Sequence, residues 1–124
     1  MYRKDRLEVK GGRTGGVIVY VRDSIISFPC EEFNKYSTES VLCKVMVDKG
    51  NVLTIGVCYK SPNAEDSEVN ELMDVNKKAS DNMVLIMEDF NFSGIDWVTL
   101  EADVTGSKFL DLTQDCNLLG MIIY

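Results

Sequence analysis

Apolar positions fall along this chain in short groups with two spacings. In "VIVYVRD", Val17 to Asp23, β-branched and aromatic residues run together, which predicts a strand. Between Ser40 and Tyr59, Val41, Cys43, Val45 and Val47 alternate with Leu42, Lys44 and Met46, so one face is wholly apolar and the other mixed. Leu53, Ile55, Val57 and Tyr59 then share a face, with Gly56 and Cys58 on the other. Asp48-Lys49-Gly50-Asn51 lies between the two runs, so the pair reads as a hairpin. After a turn at Pro62-Asn63 the period lengthens. Val69, Leu72, Met73 and Asn76 fall on one side of a helix that Asp66 or Ser67 could cap. Met83 to Met87 is continuously apolar, the pattern of a strand covered on both faces. Phe109, Leu112, Cys116 and Leu119 recur at helical spacing, with Gly106-Ser107 at the start of that second helix. Residues 120–124, "GMIIY", look like a strand beginning or one cut short. Residues 1–16 are polar and Gly-rich, and residues 27–39 read as a loop broken by Pro29.

The order is strand, hairpin, helix, strand, helix, then the apolar end. Helices on both sides of the run Met83–Met87 predict an α/β fold, a sheet covered by helices. The 124 residues amount to one domain or less, and 45% hydrophobic with 27% charged residues is ordinary for a globular chain. No apolar run is long enough to span a membrane, and no apolar stretch follows the basic start "MYRKDRLEVKGGR" as a signal peptide would require.

Charge and thiols narrow the chemistry. The formal net charge of −7 argues against a broad basic surface for nucleic acid. It is uneven, however: the first 22 residues hold six Lys or Arg against two Asp or Glu, and the remainder seven against eighteen. The basic start could meet phosphates, or it could be a solvated tail. Cys30, Cys43, Cys58 and Cys116 form no CxxC pair, so a zinc site is not expected. Cys43 and Cys58 lie in apolar runs and read as buried free thiols, which suits a reducing, intracellular compartment. The chain has no His, so hydrolytic chemistry would rest on carboxylates, a metal or Tyr.

The candidate site is at the end of the apolar strand, in "NMVLIMEDFNFSGIDW". Functional groups of α/β sheets gather at the carboxyl ends of strands, where loops converge on a crevice. Asp89 stands there, with Asn91 two residues on. A carboxylate and an amide so placed can hold a hard divalent cation, orient a water and meet a phosphoryl oxygen. The same two side chains could instead bond their own backbone in an Asx turn.

Three segments, "GGVIVYVRDS", "LTIGVCYKSPNA" and "VLIMEDFNFSGIDW", together resemble the endonuclease/exonuclease/phosphatase superfamily. More narrowly they resemble the endonuclease domain of non-LTR, LINE-type retrotransposons, which also encode a reverse transcriptase. "FLDLTQDCNLL" is similar to that family's following helix. The resemblance implies a four-layer α/β sandwich of two mixed sheets with helices outside, present here in part. It implies a Mg²⁺-dependent hydrolase that nicks DNA to leave a 3′-hydroxyl for priming reverse transcription. Asp89 would then orient the attacking water and serve the metal. Asn91 would steady the water and the phosphate, and Tyr59 would bond a phosphate oxygen. Phe90 and Phe92 would pack the loop down.

The chain departs from that pattern. Glu88 replaces the usual Gly before the Asp, and would either turn to solvent or crowd the phosphate; Ser93 replaces a usual Pro. The family's domain starts earlier, with an Asn and a metal-binding Glu, and ends later, with an Asp and an Asp-His pair. Residues 1–124 are therefore expected to be a middle portion, truncated at both ends and inactive alone, since catalytic groups that act as a unit fail together. DNA is the implied partner and the nucleus the implied compartment. Open sheet edges predict self-association, and the alternative function is a non-catalytic module that binds a partner through such an edge.

Overall fold

The computed structural model describes residues 1–5, 16–61, 64–89, 92, 94–116 and 118, the side chain of Asp89 excepted. Its strands and helices, in chain order, are β1 (Tyr2–Asp5), β2 (Gly16–Val19), β3 (Ser27–Pro29), β4 (Glu39–Asp48) and β5 (Asn51–Tyr59). Then follow α1 (Asp66–Ala79), β6 (Val84–Asp89), β7 (Ile95–Asp96), β8 (Glu101–Ala102) and α2 (Val104–Asp115). The central sheet is mixed, in the order β3-β4-β5-β6, and β1-β2 and β7-β8 are antiparallel pairs. This is an α/β fold, as the patterning predicts.

The β4–β5 hairpin is the centre. Its turn pairs Asp48 with Asn51, and Gly50 adopts φ 77°, a conformation suited to glycine. A register shift between Met46 and Asp48 then pairs Met46 with Val52 and, at the far end, Glu39 with Tyr59. The bulge separates Val47, which is exposed, from the apolar face that alternation assigned it to. β6 joins β5 in parallel, and α1 supplies the crossover that a parallel pair requires.

Two apolar clusters cover the two faces of the hairpin. On one, Leu42 and Cys58 pack with Leu72, Val75 and Ala79 of α1 and Phe109 of α2, all 3% exposed or less. On the other, Cys43 and Val45 pack with Val19 of β2, and Tyr2, Leu53, Ile55 and Val57 close around them. All four cysteines are free thiols, and burial pushes the titration of Cys30, Cys43 and Cys58 up.

Several expectations need correction. The segment 1–16 contributes a strand: Tyr2 and Lys4 are half-buried while Arg3 and Asp5 are exposed. Four alternating polar residues give too weak a signal without their partner β2. β3 lies inside the expected loop, at the sheet edge where Pro29 needs no donor. Helix α1 starts from Glu65 with no side-chain cap, so neither Asp66 nor Ser67 caps it. Asp103 caps α2, accepting from the Gly106 amide at 2.7 Å. Residues 119–124 lie outside the described set. The largest correction concerns β6, expected to be covered on both faces. Val84 and Ile86 pack against the helix side, but Met83, Leu85 and Met87 are 55%, 50% and 50% exposed. Among the described residues, nothing covers that second face.

Candidate functional site

The parallel register pairs Tyr59 with Asp89, and the antiparallel one pairs Glu39 with Tyr59. Glu39, Tyr59 and Asp89 therefore form one row across β4, β5 and β6, where β5 and β6 both end. Tyr59 and Glu39 are half-buried and line a cleft of ≈ 360 Å³, together with Asp5, Thr38, Lys60 and Glu68. Asn91 lies outside the described residues, as does the side chain of Asp89. Of the sequence-selected set, the structure thus joins Tyr59 and Asp89 through their backbones.

A hydrogen-bond cluster holds the rim of this cleft. Glu71 of α1 accepts from the Ser37 amide at 2.8 Å, the Ser37 hydroxyl at 2.6 Å and the Thr38 hydroxyl at 3.0 Å. Partial burial alone would raise the Glu71 carboxyl, but these donors outweigh it and hold the group below its ordinary value. Lys4 donates to the Tyr36 carbonyl. Its ammonium titrates lower than usual because burial outweighs the attraction of Glu71.

Glu88 keeps exposed surface, in line with one of the two courses foreseen for it. It pairs in register with Cys58 and hydrogen-bonds Asn76 of α1, on the helix side of the sheet. Lost hydration pushes the Glu88 carboxyl up to about 8, and the bond from Asn76 offsets part of the rise. Asn76 is itself buried and donates to the Leu72 carbonyl at 2.9 Å.

The segment beyond β6 is anchored by aromatic rings. Phe92 stacks on Phe109 with centroids 4.9 Å apart, and Trp97 meets Phe109 edge-on at 6.4 Å. The Lys60 ammonium sits 4.7 Å from the Phe92 ring centroid. Phe92 therefore packs its loop down, as expected; Phe90 lies outside the described residues. An Asx turn forms at Asp96, which accepts from the Val98 and Thr99 amides at 2.9 and 3.1 Å, whereas the one considered for Asp89 and Asn91 lies outside the described residues. Those bonds lower the Asp96 carboxyl. Gly94 and Gly106 let this turn and α2 close on each other: a Cβ on Gly94 would strike the Asp103 carboxylate, and one on Gly106 would meet Ile95 at 2.6 Å.

Among the described residues, no group of three or more His, Cys, Asp or Glu is arranged to hold a metal ion. Asp89, the ligand that the resemblance implies for Mg²⁺, has its side chain outside the described residues. Asp5, Glu39, Glu68 and Lys60 all line the cleft, and Arg3 ion-pairs with Asp5. Glu39 and Lys60 were missed as site residues. Lys60 had a signal, being adjacent to Tyr59 in "CYKSPN"; Glu39 had none short of the hairpin register.

A solved structure is similar to this chain in fold, the endonuclease domain of TRAS1, a telomere-specific non-LTR retrotransposon. The TM-score is 0.53 at 11% sequence identity, and the match covers 77% of this chain and 42% of that one. The likeness shows the fold alone, an α/β architecture, and this chain spans less than half the length of that domain. No protein-family model matches the sequence, and no curated protein is similar to it. No helix among the described residues is long and apolar enough to cross a membrane.

Proposed function

We propose that this chain is part of a DNA-cleaving phosphodiesterase domain of the non-LTR retrotransposon type, carrying its Tyr59, Asp89 and Asn91 portion and negligible activity alone. The observation that carries this reading is the row in which Tyr59 and Asp89 end adjacent parallel strands beside a cleft. Tyr59, half-buried and held by β5, would donate its hydroxyl to a phosphate oxygen. Asp89 would accept the proton of an attacking water, and Asn91 would hold that water in line. Divalent-cation chemistry is part of the reading, but its ligands must extend beyond the described donors, and no step here runs through it. The absence of His leaves the leaving oxygen without the usual proton donor, which is why the chain alone should be nearly inert. The substrate would be chromosomal DNA, so the place of action would be the nucleus.

The test is duplex DNA affinity in Mg²⁺, with supercoiled-plasmid nicking measured in parallel. Tyr59→Phe and Asp89→Asn should each weaken binding, and Mg²⁺ titration calorimetry should lose its heat in Asp89→Asn. DNA affinity indifferent to both residues overturns the reading. Nicking by the wild-type chain that disappears in Asp89→Ala would overturn only its inertness.

A second reading has its own observation. The half-exposed strip Met83, Leu85 and Met87 on β6, an edge strand among the described residues, fits a module that binds another chain by adding a strand. It predicts a stoichiometric complex that Leu85→Lys abolishes and Asp89→Asn leaves intact.

A further inference from the structure

We propose that Glu71 is a positioning residue for the site, fixing one wall of the cleft before DNA arrives; the inference rests on the function proposed above and deepens it. The chain enters β4 at Glu39 and leaves β5 at Tyr59, and these two residues pair. Ser37 and Thr38 on the entering side line the cleft, with Lys60 and Ser61 on the leaving side and Glu68 and Leu72 of α1. Glu71 lies on the same helix, three residues after Glu68 and next to Leu72.

The two carboxylate oxygens of Glu71 have separate donors. Oε1 accepts from the Ser37 amide at 2.8 Å, and Oε2 accepts from the Ser37 and Thr38 hydroxyls at 2.6 and 3.0 Å. The amide and the hydroxyl of Ser37 thus end on one side chain, and the same side chain holds Thr38, which is 9% exposed. Hydrogen bonds to an ionised acceptor are stronger than neutral ones. Lys4 of β1 donates to the carbonyl of Tyr36, the preceding residue, so this wall is tied to α1 and to β1. A wall already fixed spares the entropy of ordering it on binding. Charge works the other way, since a carboxylate at the rim disfavours a polyanion and its removal should tighten DNA binding. Positioning and charge therefore predict opposite signs for the loss of Glu71.

Two variants of the full chain separate them. Glu71→Ala and Glu71→Gln both remove the charge, but Gln can keep the bonds: its carbonyl accepts from the Ser37 amide, and its NH₂ group donates to the two hydroxyl oxygens. Both residues are good helix formers, so α1 should persist. Hydrogen exchange of the Ser37 amide should quicken about tenfold in Glu71→Ala and stay near wild type in Glu71→Gln, with the β4–β5 ladder protected in both. Duplex DNA affinity in Mg²⁺ should fall about two- to tenfold in Glu71→Ala and hold or rise in Glu71→Gln. Unchanged Ser37 exchange in Glu71→Ala overturns the positioning role. So does an affinity that follows charge instead of Ser37 exchange across the two variants. DNA binding indifferent to Tyr59→Phe and Asp89→Asn instead removes the site and the positioning role with it.

Discussion

β4 and β6 carry similar apolar side chains but lie in opposite surroundings. Leu42 of β4 is 3% exposed and Cys43 beside it is 0% exposed, because α1 covers one face and the β1–β2 pair covers the other. Leu85 of β6, in the longer apolar run, is 50% exposed. The difference is one of neighbours. Both strands face α1 on the helix side, but the β1–β2 pair, two strands wide among the described residues, reaches β4 and β5. An apolar run therefore records what a strand requires of its surroundings, and the uncovered strip on β6 marks a place where that requirement is unmet among the described residues.

The same substitution on both strands makes this comparison measurable. Leu42→Ala should cost about 2–5 kcal/mol in urea unfolding, the usual range for a buried leucine. Leu85→Ala should cost well under half as much, because half of that side chain is already in water. Equal losses would mean that the β6 strip is covered in solution.

A second contrast lies within β6 and depends on pH. The Glu88 carboxyl, on the covered face, titrates near 8 in the folded chain against an ordinary 4.5. Between those values the unfolded chain is ionised while the folded one holds its proton, so stability should fall as pH rises through that window. The exposed edge of the residue admits water and moderates the effect. Glu88→Gln should flatten the fall, as read by unfolding midpoints at pH 5 and about pH 8. A wild-type profile already flat across that window would show that the carboxyl is hydrated.

Leu85→Lys should change stability by less than about 0.5 kcal/mol, as surface substitutions do, while suppressing any concentration-dependent association seen by sedimentation. Association that survives it must use another surface. The smallest effect is expected at Glu71, whose carboxyl is held below its ordinary value by Ser37 and Thr38. Its contribution is present above about pH 4.5 and lost as pH falls through the lowered value, the opposite sign to Glu88. Glu71→Gln should remove that acid-side loss, visible as a small convergence of variant and wild type at low pH.

Most of the helical content was legible because helix faces repeat within a short window. Val69, Leu72 and Asn76 are buried as their spacing predicts, and Phe109 is the anchor of α2. β1, β3, β7 and β8 were not legible: each has four residues or fewer, and a two-to-four-residue strand owes its existence to its partner. The site was legible in part. Asp89 and Tyr59 stood out by type and by resemblance, but Lys60 and Glu39 acquire meaning only from what lies across the sheet.

The hairpin separates the two kinds of information most clearly. From sequence alone come its turn, Lys49-Gly50, and its apolar faces, Val41, Cys43 and Val45 against Leu53, Ile55 and Val57. The turn sets Asp48 opposite Asn51, a register that would place those two apolar sets on different faces. One extra residue between Met46 and Asp48 reconciles them, and it moves Glu39 rather than Ser40 opposite Tyr59. The pairing of Tyr59 with Asp89 belongs wholly to the tertiary structure. Thirty positions separate them, and no local periodicity specifies where a strand returning through a helical crossover will align. That alignment follows from how α1 seats Leu72, Val75 and Ala79 on the sheet, a packing that involves the whole core at once.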